Sequence, residues 1–140
     1  MRIFKKFSFD ASHQLHWHDG KCANLHGHTY FVEVCIEGNI KDVTAGPKKG
    51  FVMDFHDLKR GVNETIIEKY DHKHLNDFFK SPTAELMSIQ MYRDLASWLN
   101  DNIKSVTLHS LKLWETPTSY VEVDFQSVQQ HEALPWKDEE

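Results

Sequence analysis

Apolar and polar positions alternate from Ile3 to Leu15. Ile3, Phe7, Phe9, Ala11, His13 and Leu15 share one parity, and Lys6, Ser8, Asp10 and Ser12 share the other. A period of two predicts a strand with one buried face. Trp17 to Asn24 breaks the pattern with Asp19, Gly20 and Asn24 and reads as a loop. Alternation then resumes, with Tyr30, Val32, Val34 and Ile36 set against Phe31, Glu33, Cys35 and Glu37. This second strand begins at His26-Gly27-His28. Gly38 to Gly50, rich in Gly, Lys and Asp, reads as a turn, and Phe51 to Asp54 as a short extra strand. From Asp54, a helix cap, the period lengthens, and Phe55, Leu58, Val62 and Ile66 fall on one helical face. The polar stretch Asp71 to Asp77 follows. Ser81-Pro82-Thr83 opens a second helix with Pro in its first turn and Met87, Met91, Leu95 and Trp98 on its apolar face. Two more strands are predicted near Ser105–Glu115 and Ser119–Phe125, before a polar, partly frayed tail from about 126 to 140. The order strand, strand, helix, helix, strand, strand predicts an α+β fold: an antiparallel four-stranded sheet with two helices on one face. No repeat or linker interrupts residues 1–140, which read as one domain.

Composition narrows the function. Of 140 residues, 40% are hydrophobic and 26% charged, a globular balance. No apolar run approaches the ~20 residues that span a bilayer, and MRIFKKFSFD lacks the apolar core of a signal peptide. A cytoplasmic protein with no membrane partner is expected. The net charge of −5 argues against a nucleic-acid surface. The two cysteines, Cys22 and Cys35, are read as free thiols. Ten histidines are the oddity, because neutral imidazole is the commonest metal ligand near neutral pH.

His26 and His28, two apart on a strand, point to one face. Gly27 between them leaves room for the backbone to bend. His13 shares the parity of the apolar face of the first strand, and an antiparallel neighbour would bring it beside the other two. Three imidazoles with one position left open is the pattern of a catalytic zinc rather than of a closed structural site. The same residues would also suit a turn entering a strand, with His13 a core residue. His16 and His18 lie on the opposite parity and read as loop residues.

Cys22 stands four residues before His26, on the loop that enters the candidate metal site. A thiol near a cation has a lowered pKa and can act as a base, although the position equally suits an incidental loop cysteine. Cys35, mid-strand, reads as inert. Asp71-His72 pairs a carboxylate with an imidazole, the arrangement that fixes a tautomer and raises basicity. It also fits a solvated cluster at a helix end, with His74 nearby. Glu115, at a strand end after Trp114, suits a bidentate grip on a planar guanidine-like base, or a plain exposed glutamate before a turn.

The blocks FSFDASHQL, C-ANL-HGH-TY, FVMDFHDLK, DHKHLND, SPTAE and LWETPTSY run in order from about Phe7 to Phe125. They resemble the 6-pyruvoyl-tetrahydropterin synthase family, and within it the 6-carboxy-tetrahydropterin synthase branch of 7-deazaguanine (queuosine) biosynthesis. The branch assignment rests on the three residues that separate Cys22 from His26. The resemblance implies a T-fold that oligomerises into a barrel, as a homo-hexamer made of a dimer of trimers. It implies a zinc-dependent lyase with His13, His26 and His28 holding Zn(II), Cys22 as the proton-abstracting base, and Asp71 and His72 as its relay partners. It further implies Glu115 as the pterin anchor, with Thr83 assisting. The implied substrate is 7,8-dihydroneopterin triphosphate. The implied products are 6-carboxy-tetrahydropterin, acetaldehyde and triphosphate. Two departures stand out: Leu86, where the family usually has Asn, and the loop TAGPKKG.

Three other readings compete. The same enzyme class could form the pyruvoyl product by eliminating triphosphate. A non-catalytic pterin- or purine-binding T-fold protein would need none of Cys22, Asp71 and His72. An unrelated zinc regulator would call for a basic face. A folate-pathway variant of the family is disfavoured, because it would carry Glu where this chain has Cys22.

Overall fold

The computed structural model describes residues 1–132. Strands β1 (Arg2–His13) and β2 (His26–Gly38) pair antiparallel over their whole length, from Arg2 opposite Glu37 to His13 opposite His26. The latter pair of histidines is thus set by strand register. Helix α1 (Phe55–Val62) continues through a wide π turn, Asn63–Ile67, into the short α2 (Glu68–Tyr70). Then come β3 (Lys73–His74), α3 (Ala84–Asn102), β4 (Val106–Thr116), β5 (Ser119–Val123) and α4 (Phe125–Gln130).

The sheet order is β3-β1-β2-β4-β5. The four long strands form the expected antiparallel sheet. The correction is β3, a fifth strand that runs parallel to β1 and pairs only at Ala11 and Ser12. Two residues inside a polar stretch carry no periodicity, so sequence pattern could not reveal them. Phe51 to Asp54 forms no strand; it bends so that Val52 and Met53 are buried.

One face of the sheet is covered. Phe9, Tyr30, Val32, Val34, Ile36, Leu111 and Leu113 meet Leu58, Val62 and Ile66 from the first helical segment and Met87, Met91, Leu95 and Leu99 from α3. Each such side chain removed from water contributes about 1.5–3 kcal/mol, which holds both helices on the sheet. Gly61 sets the approach of the helices, because a Cβ there would stand 2.6 Å from a Trp98 ring carbon. Asp54 caps α1 as expected, accepting from the His56 N–H, whereas α3 is capped by Thr83, which accepts from the Leu86 N–H at 3.3 Å. The cap uses the backbone of Leu86, so it is intact with leucine at that position. Pro82 lies before the cap rather than in the first turn. The segment read as a frayed tail begins with α4, which Asp124 caps and Val128 anchors in the core. The remainder of that tail, 133–140, lies outside the described residues.

The other face of the sheet is uncovered among the described residues. It is aromatic and charged rather than simply apolar: Lys6 lies 4.5 Å from the Trp114 ring centroid, Lys112 5.1 Å from that of Tyr120, and Arg2 pairs with Glu37 at 2.7 Å. The outer edge of β1 from Arg2 to Asp10 carries no partner strand there. Among the described residues, no helix is long and apolar enough to cross a membrane.

Candidate active site

Three imidazoles converge where β1 ends and β2 begins. The side-chain nitrogens of His13, His26 and His28 all lie within 4.8 Å of one another. His13 is fully buried, and its Nδ1 donates to the Pro82 carbonyl at 2.8 Å. His26 Nδ1 donates to the Asn24 carbonyl at 2.7 Å. A carbonyl can only accept, so both neutral rings carry their proton on Nδ1 and turn a bare Nε2 lone pair inward. Those two Nε2 atoms stand 3.0 Å apart. His28 Nε2 is buried beside them with no hydrogen-bond partner. Glu115 adds a carboxylate oxygen 3.3 Å from His13 Nε2 and 3.5 Å from His28 Nε2.

Two bare imidazole lone pairs and a carboxylate oxygen facing one point repel one another unless positive charge lies between them. Protons are a poor source of it, because burial pushes the His13 and His28 imidazoles below the ordinary histidine range. A divalent cation meets the need. The donor set, three imidazoles with a carbonyl-fixed tautomer on two of them, is one that zinc accepts. Tyr30, whose hydroxyl lies 3.3 Å from His13 Nδ1, is held protonated by burial, which drives its pKa far above the usual phenol value. Asn76 grips both backbone groups of Gln14, at 2.9 and 2.8 Å, and so fixes the chain just beyond His13.

Cys22 is half-buried in a 3-10 turn, Lys21–Ala23, of the loop between His13 and His26. Its carbonyl accepts from the Leu15 N–H at 2.9 Å, and Gln14 Nε2 donates to the Ala23 carbonyl at 2.9 Å. The two ends of the loop are thereby stitched to each other next to the strands that carry the histidines. His16 and His18 are exposed on the same loop, as expected. Cys35 is buried on the sheet, and burial pushes its thiol up, out of the reactive range.

Asp71 and His72 form a second cluster, at the β3 end of the sheet. Asp71 Oδ1 lies 3.0 Å from His72 Nδ1 and accepts the Asp10 N–H at 3.0 Å. That backbone hydrogen bond is the main reason the Asp71 carboxyl sits below the usual aspartate range. His72 has a left-handed backbone, φ 58°, costly for a residue with a Cβ, and its N–H donates to the Asp10 carbonyl at 2.6 Å. Its ring is 78% exposed. Among the described residues, no hydrogen bond or ion pair joins this pair to Cys22 or to the three histidines. A cavity of about 670 Å³ lies over this end of the sheet, with His28 and His72 both in its lining.

Sequence reasoning missed several parts. The carbonyls of Pro82 and Asn24 and the grip of Asn76 left no signal, because they depend on where loops fold. Glu115 was noticed, but its place against the histidines was not. Thr83, singled out as a substrate contact, has its hydroxyl engaged in capping α3.

A sequence profile described as 6-pyruvoyl tetrahydropterin synthase matches residues 2–126. A 6-carboxy-5,6,7,8-tetrahydropterin synthase from Haemophilus influenzae is 35% identical over 138 residues, covering 86% of this chain and 96% of that protein. A dihydroneopterin monophosphate aldolase from Pyrococcus furiosus is also 35% identical, over 89% of this chain and 97% of its own. Among solved structures, the 6-pyruvoyl tetrahydropterin synthase of Caenorhabditis elegans superposes with a TM-score of 0.72 at 26% identity, over 89% of this chain and 94% of that one. The chain belongs to the 6-pyruvoyl tetrahydropterin synthase family of enzymes.

Proposed function

We propose that this protein is a cytoplasmic zinc enzyme that converts 7,8-dihydroneopterin triphosphate to 6-carboxy-5,6,7,8-tetrahydropterin, releasing acetaldehyde and triphosphate, in 7-deazaguanine biosynthesis. The observation that carries the reading is the set of inward-facing Nε2 lone pairs of His13 and His26 beside the unpartnered Nε2 of His28. Similarity to proteins named 6-carboxy-5,6,7,8-tetrahydropterin synthase supports the choice of reaction.

His13, His26 and His28 would hold the zinc. When bound, it supplies Lewis acidity toward side-chain oxygens of the substrate, which makes the adjacent C–H bond more acidic. Cys22, on the loop that joins two of the ligands, takes that proton. Asp71 orients His72 through Nδ1 and leaves the other ring nitrogen free to pass a proton to or from the thiol. Glu115 accepts from the N–H edge of the pterin ring, beside the metal. Thr83 borders the same wall through its neighbour Pro82.

The oligomer follows from the same reading. The unpaired outer edge of β1 and the uncovered sheet face support closure into a barrel with other copies, as a dimer of trimers. An exposed His72 in a strained backbone then reaches the Cys22 of a neighbouring subunit. Similarity to the Pyrococcus furiosus aldolase favours one rival reading, aldol cleavage of the monophosphate. Incubating the zinc-loaded protein with 7,8-dihydroneopterin triphosphate and its monophosphate, with mass analysis of the products, separates the possibilities. Acetaldehyde and the 6-carboxy product are expected. A pyruvoyl product, cleavage of the monophosphate alone, or no turnover of either would overturn the assignment.

A further inference from the structure

We propose that the Asp10 side chain is a positioning group for the Asp71–His72 pair, a second carboxylate set beside the imidazole and aimed by Thr29. The inference rests on the relay role given to that pair above. Asp10 touches the pair in three ways. Its N–H donates to Asp71 Oδ1 at 3.0 Å, its carbonyl accepts the His72 N–H at 2.6 Å, and its carboxylate lies within 4.8 Å of both the Asp71 carboxylate and a ring nitrogen of His72. The first two contacts use backbone and would survive most substitutions. The third belongs to the side chain, and nothing in the relay reading uses it.

The carboxylate is held in place. Thr29 stands directly opposite Asp10 in the β1–β2 register, and its hydroxyl donates to Asp10 Oδ1 at 2.5 Å. Thr29 directly follows His28. One hydrogen bond therefore ties the metal-bearing strand to the group that flanks the relay. The charged or titratable groups around His72 are Asp71 and Asp10, with Lys73 and His74 in the β3 strand that follows it. The spacing is too long for a direct Asp10–imidazole hydrogen bond. Asp10 acts by charge and through water: it gives the imidazole one preferred orientation out of a left-handed backbone that does not itself fix the side chain.

The test compares Asp10→Asn, Asp10→Glu and Thr29→Val with the parent, and adds His72→Ala and the double variant Asp10→Asn/His72→Ala. Each is examined as the zinc-loaded, assembled enzyme for metal content, kcat and KM. Asp10→Asn should lower kcat about three- to tenfold with KM and zinc unchanged, Thr29→Val should lower it less, and Asp10→Glu should recover most of the loss. A group that acts through His72 has nothing left to act on once that ring is gone, so the double variant should match His72→Ala alone. Equal kcat for Asp10→Asn and the parent, beside a crippled His72→Ala, would overturn this inference while leaving the relay intact. Additive losses in the double variant would also overturn it, as would a second metal ion per chain that disappears in Asp10→Asn. Full turnover by His72→Ala would overturn both this inference and the relay reading beneath it.

Discussion

His28→Ala is the cleanest test of the metal centre. His13 is a poorer choice, because it is fully buried and holds the Pro82 carbonyl, so its loss would also damage the fold. His28 Nε2 has no hydrogen-bond partner, and its side chain retains 20% exposure. Removing it deletes a buried polar atom left without a hydrogen bond, which costs a fold about 1–3 kcal/mol, and this gain offsets the packing lost with the ring. The metal-free variant should therefore melt within a few degrees of the metal-free parent. Zinc binding is a different matter. Four-ligand structural sites bind zinc with about 10–16 kcal/mol near neutral pH, so one imidazole is worth about 2.5–4 kcal/mol, or roughly 10²–10³ in Kd. At free zinc of about 100 times the parent Kd, the parent gains about 2.7 kcal/mol, equivalent to ~9 °C in Tm for a chain of this size. A variant that binds 100-fold more weakly gains only ~1–2 °C under the same conditions. Competition with a chromophoric chelator gives Kd, and differential scanning fluorimetry with and without EDTA gives the Tm difference. A variant Kd within about threefold of the parent would refute the ligand assignment. A metal-free variant that melts more than about 10 °C below the metal-free parent would show that His28 serves the core.

Three further outcomes are expected. Cys22→Ala should keep zinc and Tm but lose ~10²–10⁴-fold in kcat, the usual cost of removing a positioned base, while Cys35→Ala stays active; the reverse pattern in steady-state kinetics would move the role to the other thiol. Glu115→Gln should keep zinc yet weaken dihydropterin binding about 10- to 100-fold by isothermal titration, through one lost charge-assisted hydrogen bond, and equal affinities would remove Glu115 from the ring site. The metal-free protein should lose Tm on acidification. His13 and His28 sit below the ordinary value of about 6.5 in the folded state, so the unfolded chain takes up protons first. Their contribution is complete above about pH 6.5 and lost as pH falls through the lower folded values; an unchanged Tm from pH 8 to 5 would contradict this.

The histidine site was legible because it is written in strand periodicity. His13 lies on the buried parity of β1, His26 and His28 share a parity of β2, and full-length pairing places His13 opposite His26. The two amphipathic helices and the Asp54 cap were legible for the same reason: period and cap are local. What sequence could not supply was everything decided by distant segments meeting. The parallel β3, the π turn after α1, and the left-handed His72 arise where a short segment docks on β1, and docking leaves no period. Glu115 read as a grip for a planar base or as a plain exposed glutamate, and its place beside the histidines stayed hidden, because nothing in β4 by itself records that its last inward position meets the end of β1. Asp10 read as the solvent parity of a strand, which is correct, and its neighbours Asp71 and His72 come from sixty residues away.

Because His13 and His26 are register partners, the histidine triangle is a property of the sheet, and residues 14–25 are only its connection. The loop that carries Cys22 is clamped at its neck by Leu15–Cys22 and Gln14–Ala23, so its tip hangs from a fixed frame. Such a platform separates two kinds of evolutionary change. Lengthening or rewriting the loop can move the thiol, or exchange it for another group, without disturbing the three histidines. A one-residue slip between β1 and β2 would break the triangle and turn its apolar neighbours outward, so selection on folding alone guards the histidine cluster. A scaffold of this kind suits loop grafting: a dozen residues can be redesigned while the three imidazoles stay where the strands put them.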